Sequence, residues 1–287
     1  MANNKVEIEN NLTSIRSLIA KHKRHDHIFA GIGMFIIISL TITLLILFLD
    51  LVFDGYPRFN LDFLTNFPSR RATAAGILSA WVGSALVLIV TFFAAVPLGI
   101  AAGVYLEEYA KKNWFSDLIE INVTNLAGVP SIIYGLLALG LFVYGFGLGQ
   151  TILTAGLTLA LLMLPIVIVA TREAIRAIPI HIREAAYAVG ATKWQVSLHH
   201  VIQYSYGGIL TGVIIGMARA IGETAPVITI GALTFIAFLP PSPVGLEPPF
   251  INFEWLKAGF TVLPIQMFNW ISRPQMAFHV NAAATGA

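Results

Sequence analysis

The chain has 287 residues, of which 57% are hydrophobic and only 11% are charged, and its formal net charge is +2. Soluble globular domains carry about 25% charged residues, so this chain has too little polar surface to face water, and we expect it to lie in lipid. The small net charge gives no basis for binding nucleic acid. The absence of cysteine excludes disulfides, thiolate metal ligands and cysteine nucleophiles.

Long uncharged runs predict five membrane-spanning helices, because about 20 apolar residues suffice to cross a bilayer. The run 121–171 is too long for one span, and the glycines at 144–150 suit a tight turn that divides it in two. In the run from about residue 205 to 238, only Arg219 and Glu223 are charged. The predicted spans are residues 28–49, 76–106, two helices within 121–171, and about 205–238.

The two ends of the chain differ in character. Residues 1–27 are mostly polar, and we expect them to form a cytoplasmic amino-terminal segment ahead of a membrane domain over 28–287. The first apolar run has 22 residues, more than the roughly 7–15 of a signal peptide, so it is predicted to be a retained anchor. From Met276 the sequence resembles the start of a sixth helix, but it ends before such a helix would cross the bilayer.

The basic residues indicate the orientation of the spans, since cytoplasmic loops are enriched in lysine and arginine. With the amino terminus inside, the cytoplasmic segments hold eleven of the 17 lysines and arginines and the outer segments hold five. The remaining one, Arg219, lies within a span. The loop 172–202 is then cytoplasmic.

This loop is predicted to contain two short helices. Helix-forming residues from His181 to Val189 precede Gly190, which can adopt the left-handed conformation that ends a helix, and a second helix follows from about Thr192. Two helices joined at a tight bend could transmit the movement of a partner protein. An ordinary connection between spans is the alternative interpretation.

Four residues of this loop, Glu184, Ala185, Ala186 and Gly190, match the core of the EAA loop of ABC-importer permeases. The family pattern continues with Leu-Pro, whereas this chain has His200, Val201, Ile202 and Gln203 there and so departs from it. The resemblance implies that the loop docks on a separate ATPase as a coupling helix.

Four further segments make the resemblance more specific, because together they are similar to the phosphate permeases of the PstA type. They are Phe-Pro-Ser-Arg-Arg at 67–71, Gly-Val-Pro-Ser-Ile-Ile-Tyr-Gly at 128–135, Ala-Arg-Ala-Ile-Gly-Glu-Thr-Ala-Pro at 218–226, and Thr-Val-Leu-Pro-Ile-Gln at 261–266. The family implies an all-α polytopic membrane helical bundle with the type I ABC importer permease fold, normally with six spans. It also implies phosphate transport across a bacterial inner membrane.

The partners implied by the family are a companion C-type permease, a cytoplasmic ATPase dimer, an extracytoplasmic phosphate-binding protein and membrane lipid. The chain contains no Gly-x-x-x-x-Gly-Lys-Ser/Thr phosphate loop. We therefore expect the partner ATPase to use ATP, while this chain binds no cofactor and has no catalytic site of its own.

The fifth span carries two signals. Gly208, Gly212 and Gly216 recur every four residues and form a small-residue stripe that lets helices approach closely in lipid. The stripe could pack within this chain or against the companion permease. Arg219 and Glu223 are four residues apart, so they share a helical face and can pair. Charge within a span usually faces a partner or a cavity, so we predict that this pair lines the substrate path; a structural ion pair is the alternative.

Other functions fit the residues less well. An intramembrane hydrolase would need a base beside Ser79, Ser84 or Ser131, and the predicted spans contain no histidine. The adjacent His199 and His200 point to different helix faces, so no metal site is predicted. An ATPase-independent anion channel or carrier remains an alternative, as does a permease for another oxyanion such as sulfate.

Overall fold

The computed structural model describes residues 2–111, 113–233, 235–244 and 250–287, with side chains described at Lys23 and from Asp26 onward. Apart from one β-bridge between Val244 and Ile251, the regular elements in these residues are all helical. The all-α prediction is confirmed.

The chain divides into two units, and the first, Met1–Tyr56 with Ala287, is essentially one long helix, α1 (Ala2–Gly55). The apolar side chains from Ile28 to Leu49 are largely exposed, as expected of a helix that has lipid as its solvent. The helix continues across residue 27, where sequence composition suggested a boundary. The cytoplasmic position of residues 1–27 stays a prediction.

The second unit, Pro57–Gly286, contains the remaining helices. They are α2 (Leu61–Thr65), α3 (Leu78–Val104), α4 (Trp114–Leu126), α5 (Ser131–Ala138), α6 (Ile152–Arg176), α7 (Ile180–Ala188), α8 (Lys193–Val196), α9 (Ile202–Gly222), α10 (Ala225–Thr229), α11 (Leu263–Ile271) and α12 (Met276–Gly286). Wider π-helical turns extend α3 and α5 and join α8 to α9, over Tyr105–Tyr109, Leu139–Gly145 and Ser197–Val201 respectively.

Within the described residues, four helices are long and apolar enough to cross a membrane on their own: Asp26–Arg58, Leu78–Tyr109, Ile152–Arg176 and Lys193–Gly222. The pair Trp114–Leu126 and Ser131–Gly145 passes the same test only as a unit bent by 104°. Counted as one span, this pair brings the number to the predicted five. The glycine turn that divides the third span from the fourth is also present, with Gly147 and Gly149 at positive φ.

The bend in the third span was not predicted from the sequence. It falls at 127–130, where Gly128 and Pro130 interrupt the helix, because proline lacks an amide hydrogen and its ring clashes with the preceding turn. The Leu126 carbonyl accepts hydrogen bonds from the Tyr134 hydroxyl at 2.7 Å and from the Val129 amide at 3.1 Å, so the backbone at the bend has polar partners. The third span is therefore two half-helices, α4 and α5.

The prediction that the fifth span continues to about residue 238 was wrong. α9 ends at Gly222, Glu223 is extended with ψ 117°, and α10 starts a new helix at Ala225. Pro226 explains the interruption, since its ring would clash with the Gly222 carbonyl in a continuous helix, whereas proline suits the first turn of a new one. The fifth span instead begins earlier than expected, because α8 and the π-turn lead directly into α9.

The core of this unit is α6, which packs between α3 and α9. On the α3 side, Gly99 is so close that an added Cβ would lie 2.7 Å from Val167. On the α9 side, Gly208 faces Ala174, Gly212 faces Ala170 and Gly216 faces Met163. The small-residue stripe thus packs on α6 of the same chain rather than being left open for a companion.

The orientation can be tested with single cysteines, since the chain has none of its own. Thr65 and Ala188 are both exposed and lie in segments predicted to be on opposite sides of the membrane. In intact cells, an impermeant thiol reagent should label Thr65→Cys and not Ala188→Cys, and detergent should make both reactive. Labelling of Ala188→Cys but not of Thr65→Cys would show that the orientation is opposite to the predicted one.

The helix packing yields a second prediction. Gly212→Ala places a methyl group against the Ala170 methyl, and neither short side chain can move aside, so α9 and α6 must separate. We expect a loss of about 1–3 kcal/mol of stability, typical of an overpacked interface. Thermal melting in detergent measures it. Gly207→Ala is the matched control, because nothing lies within 4 Å of its added Cβ. Equal melting temperatures for the two variants would contradict the close approach.

Candidate coupling loop and substrate-path site

The loop after α6 contains a short helix with a defined end. α7 stops at Ala188, and Gly190 has φ +87°, the left-handed conformation expected from the sequence. The amide of Gly190 donates to the Tyr187 carbonyl at 2.9 Å, and that of Ala191 donates to the Ala186 carbonyl at 3.1 Å. This is the Schellman arrangement, which satisfies the last carbonyls of the helix and fixes the direction of the chain.

The EAA residues are divided between two faces of α7. Ala186 is buried in a small core with Ile175, Val196 and Val201, so it holds the loop against α6 and α9. Glu184 and Ala185 are exposed, and the Glu184 carboxylate contacts the His181 ring at 3.3 Å. The exposed face therefore remains available to another protein.

Exposed apolar side chains surround these residues. They are Ile180, Tyr187, Val189 and Trp194, and Val189 is 84% exposed. Exposed apolar side chains grouped on a structured loop are typical of a protein-docking surface.

α8 begins where the sequence predicted it. The Thr192 hydroxyl accepts from the Gln195 amide and the Gln195 side chain accepts from the Thr192 amide, which makes a capping box. The family's Leu-Pro is absent after this point, and the helix continues through the π-turn into α9 without a break. The missing proline explains the continuity, because a proline inside the helix would disrupt it.

Ion pairs that join α3, α4 and α6 on the side predicted to be cytoplasmic were not identified from the sequence. Arg172 is 5% exposed and contacts Glu120 at 2.6 Å and Glu107 at 3.5 Å. Arg176 contacts the same two glutamates at 3.1 and 3.0 Å. The sequence contained a signal for them, since basic and acidic residues fall in neighbouring cytoplasmic segments, but it did not indicate which of them meet.

The second candidate site is the pair in the fifth span. Arg219 Nε donates to Glu223 Oε1 at 3.2 Å, with the two side chains 40% and 16% exposed. Arg219 lies in the last turn of α9 and Glu223 is the residue that follows its end. The two residues are in contact as expected, although they are not part of one continuous helix.

The pair lies within the membrane-crossing part of the unit. Glu223 and Ala220 line a narrow crevice with Leu159 of α6 and Ser84 of α3. Leu159 is seven residues from the outer end of α6, which at 1.5 Å per residue is about 10 Å. The break after α9 therefore places two charged side chains in the part of the unit that is predicted to cross the membrane.

The two interrupted spans meet at this level. A Cβ on Gly135 of α5 would lie 2.7 Å from Pro226 of α10 and would also clash with the Thr229 hydroxyl. The motif at 128–135 and the motif at 218–226, distant in sequence, thus form one site.

The remaining candidate side chains have other roles. The Ser79 hydroxyl donates to the Ile236 carbonyl at 2.9 Å, and the Ser84 hydroxyl accepts from the Leu263 amide at 2.9 Å. Both serines therefore hold the segment after α10 against α3. In the part of the chain that the structure describes, no group of three or more His, Cys, Asp or Glu side chains could hold a metal ion.

Helices long enough to cross a membrane, a structured loop between two of them and an ion pair at a broken span are the features expected of a membrane permease. Residues 95–244 match the family described as the binding-protein-dependent transport system inner membrane component. The chain belongs to this family, which confirms the resemblance to ABC-importer permeases and the localisation in an inner membrane.

Several curated proteins are similar to the chain over most of its length. It is 33% identical to a probable ABC transporter permease protein YqgI of Bacillus subtilis over 210 residues, 73% of this chain and 67% of that protein. It is 35% identical to the phosphate transport system permease protein PstA of Mycobacterium leprae over 204 residues, 71% of this chain and 62% of the relative. The PstA of Haemophilus influenzae is 30% identical over 83% of this chain and 84% of its own length. The chain thus spans less than two thirds of some of these relatives.

Gly190 gives the prediction for the loop. Gly190→Val should strain the backbone by about 1–3 kcal/mol, because a β-branched residue does not tolerate positive φ, although no neighbouring atom would clash with its Cβ. The variant should insert normally but lose transport or association with an ATPase. Uptake, membrane content and copurification of the ATPase measure these outcomes.

Gly190→Asn is the matched control, since asparagine tolerates the left-handed region and should retain most of the activity. Normal transport by Gly190→Val would mean that the loop is only a connector.

Proposed function

We propose that this chain is the permease subunit of an ATP-driven importer that moves inorganic phosphate across the inner membrane. The observation that carries the proposal is the Arg219–Glu223 pair at the broken end of α9. A cation is costly at this depth unless a partner or a transported anion compensates it. The names of the PstA relatives support phosphate as that anion.

The surroundings of Arg219 suit transient binding of an anion. Many transporters place their substrate site where discontinuous helices meet within the membrane, and here α4–α5 and α9–α10 are both interrupted. Two unit charges 4 Å apart attract by about 4 kcal/mol at an effective dielectric constant of about 20. Phosphate near neutral pH carries between one and two negative charges, so attraction to Arg219 is strong.

Glu223 weakens the attraction between Arg219 and phosphate. It neutralises Arg219 when the path is empty and competes with phosphate when the path is occupied. Conduction requires a site that binds strongly enough to admit the ion and weakly enough to release it. A carboxylate one helical turn away from the arginine provides that balance.

The driving force comes from other polypeptides in this proposal. α7, with Glu184, Ala185 and Gly190, docks on a cytoplasmic ATPase dimer that uses ATP, and this chain itself binds no cofactor. A companion C-type permease completes the path, and an extracytoplasmic binding protein delivers phosphate. The family description supports a binding-protein-dependent system.

The proposal predicts that Arg219→Gln lowers phosphate uptake by up to about 1,000-fold, since it removes an attraction of about 4 kcal/mol and each 1.4 kcal/mol corresponds to a factor of ten. Insertion should not suffer, because the substitution removes a charge from the span. Arg219→Lys should restore uptake only in part, as an ammonium lacks the planar fork of the guanidinium. Uptake of labelled phosphate is measured in cells without another phosphate importer, at equal subunit levels.

Lys257→Gln is the control, because it removes an exposed cation that lies outside both the predicted spans and the family motifs, and it should leave uptake near the unaltered rate. Sulfate as competitor identifies the cargo. Inhibition of uptake by excess sulfate as strong as by unlabelled phosphate would favour a general oxyanion permease. Unaltered uptake in Arg219→Gln would leave only a structural ion pair.

A further inference from the structure

Seven charged side chains of α4, α6, α7 and the π-turn after α3 form a cluster outside the site described above, here called the inner ionic cluster. They are Glu107, Glu108, Glu120, Arg172, Glu173, Arg176 and Arg183. Arg172 and Glu108 are nearly buried, with side chains 6% and 7% exposed. Breaking a buried ion pair leaves an uncompensated charge, so these contacts are expected to persist while the helices move.

The cluster has two branches because Glu107 and Glu108 are adjacent in the π-turn after α3 and point in different directions. Glu108 receives Arg183 of α7 at 2.8 and 3.1 Å, and Arg183 also donates to the Ile175 and Ile178 carbonyls at the end of α6. Glu107 instead receives Arg172 and Arg176 of α6. α3, α6 and α7 are thereby joined as one unit.

Glu120 adds α4 to this unit. None of the residues of α4, all of which the structure describes, is buried, so apolar packing contributes little to its position. Within the described residues, the hydrogen bonds that link α4 to other helices run through Glu120, to Arg172 and Arg176, and through the Leu126 carbonyl, to Tyr134 of α5. α4 is thus anchored to α6 at its middle, through Glu120, and to α5 at its carboxyl end.

We infer that Glu120 is a positioning residue for coupling, which ties α4, and through it the broken third span, to the unit that carries the docking helix α7. Movement of α7 then reaches α5, and α5 packs on α10 next to Arg219 and Glu223. Glu120 suits this task because each of its two carboxylate oxygens contacts a different arginine of α6, and such charge-assisted contacts are strong.

This inference rests on the proposed function, since it assigns a route by which an ATPase acts on the substrate path. The role of Glu120 can nevertheless be tested separately from the identity of the cargo. Glu120→Gln removes the charge that holds α4, while Arg172 and Arg176 keep Glu107 and Arg183 keeps Glu108. α7 therefore stays in place, and ATP hydrolysis should continue without being transmitted.

The test uses the complete transporter, with its companion, ATPase and binding protein, in proteoliposomes. Glu120→Gln should lower phosphate taken up per ATP hydrolysed by about five- to tenfold, the lower range of coupling between sites, with ATP hydrolysis itself near the unaltered rate. Asp117→Asn is the matched control, because it also removes a carboxylate from α4. Unlike Glu120, Asp117 makes no ion pair within the described residues. A merely structural role for Glu120 would lower both activities together.

A second readout does not depend on the cargo. Spin labels on cysteines at Asp117 and His181, both exposed, report the distance from α4 to α7. The distribution should be narrow in the otherwise unaltered chain, with and without nucleotide, and broad in Glu120→Gln. Absence of phosphate uptake by the unaltered transporter would refute the proposed cargo, while the distances would still test the connection.

Arg176→Lys covers the case in which Glu120→Gln fails to assemble. It retains the positive charge, but an ammonium cannot hold Glu107 and Glu120 together as the guanidinium does, so it should lower uptake per ATP in the same direction. The inference would be overturned if Glu120→Gln took up as much phosphate per ATP as the unaltered transporter and showed the same distance distribution. If Glu120→Gln does not assemble, the same two results in Arg176→Lys would overturn it.

Discussion

The close approach of α6 to α3 and α9 is the constraint on which the rest of this structure depends. Glycines at both interfaces bring the helices to distances at which an added methyl group would clash. Van der Waals packing of this kind holds helices together in lipid, where apolar burial gives little driving force. Because α6 is held on two sides, its inner end provides a fixed base for α7, and its outer part lines the crevice beside Glu223.

Two interruptions of the spans are tolerated around this rigid core. Lipid cannot hydrogen-bond to free backbone groups, so a break within the membrane needs polar partners or a cavity. At the first break, the Tyr134 hydroxyl caps the Leu126 carbonyl; at the second, Arg219 and Glu223 pair beside a crevice. The two broken spans pack on each other through Gly135 and α10. The interruptions thus generate a polar region among apolar helices.

The polar contacts in the inner ionic cluster and at the broken end of α9 differ in their physical setting. In the cluster, arginines hold several carboxylates from different helices, which favours persistent geometry. At the broken end of α9, one arginine faces one carboxylate and is still 40% exposed, which leaves room for another anion. The first arrangement suits the transmission of movement, and the second suits reversible binding.

The sequence alone determined the properties that depend on composition and local spacing. Low charge indicated lipid as the solvent, uncharged runs located most spans, and Gly190 and Thr192 marked the helix ends in the loop. The family motifs identified the class. Only the tertiary structure decided which distant residues meet: the glycine stripe of α9 packs on α6, and Glu120 pairs with Arg172 and Arg176. Such contacts follow from the relative placement of whole helices, which local periodicity does not encode. The breaks at Pro130 and Pro226 were visible as prolines, but whether a span bends or ends at a proline depends on the groups that neighbouring helices bring to the free backbone.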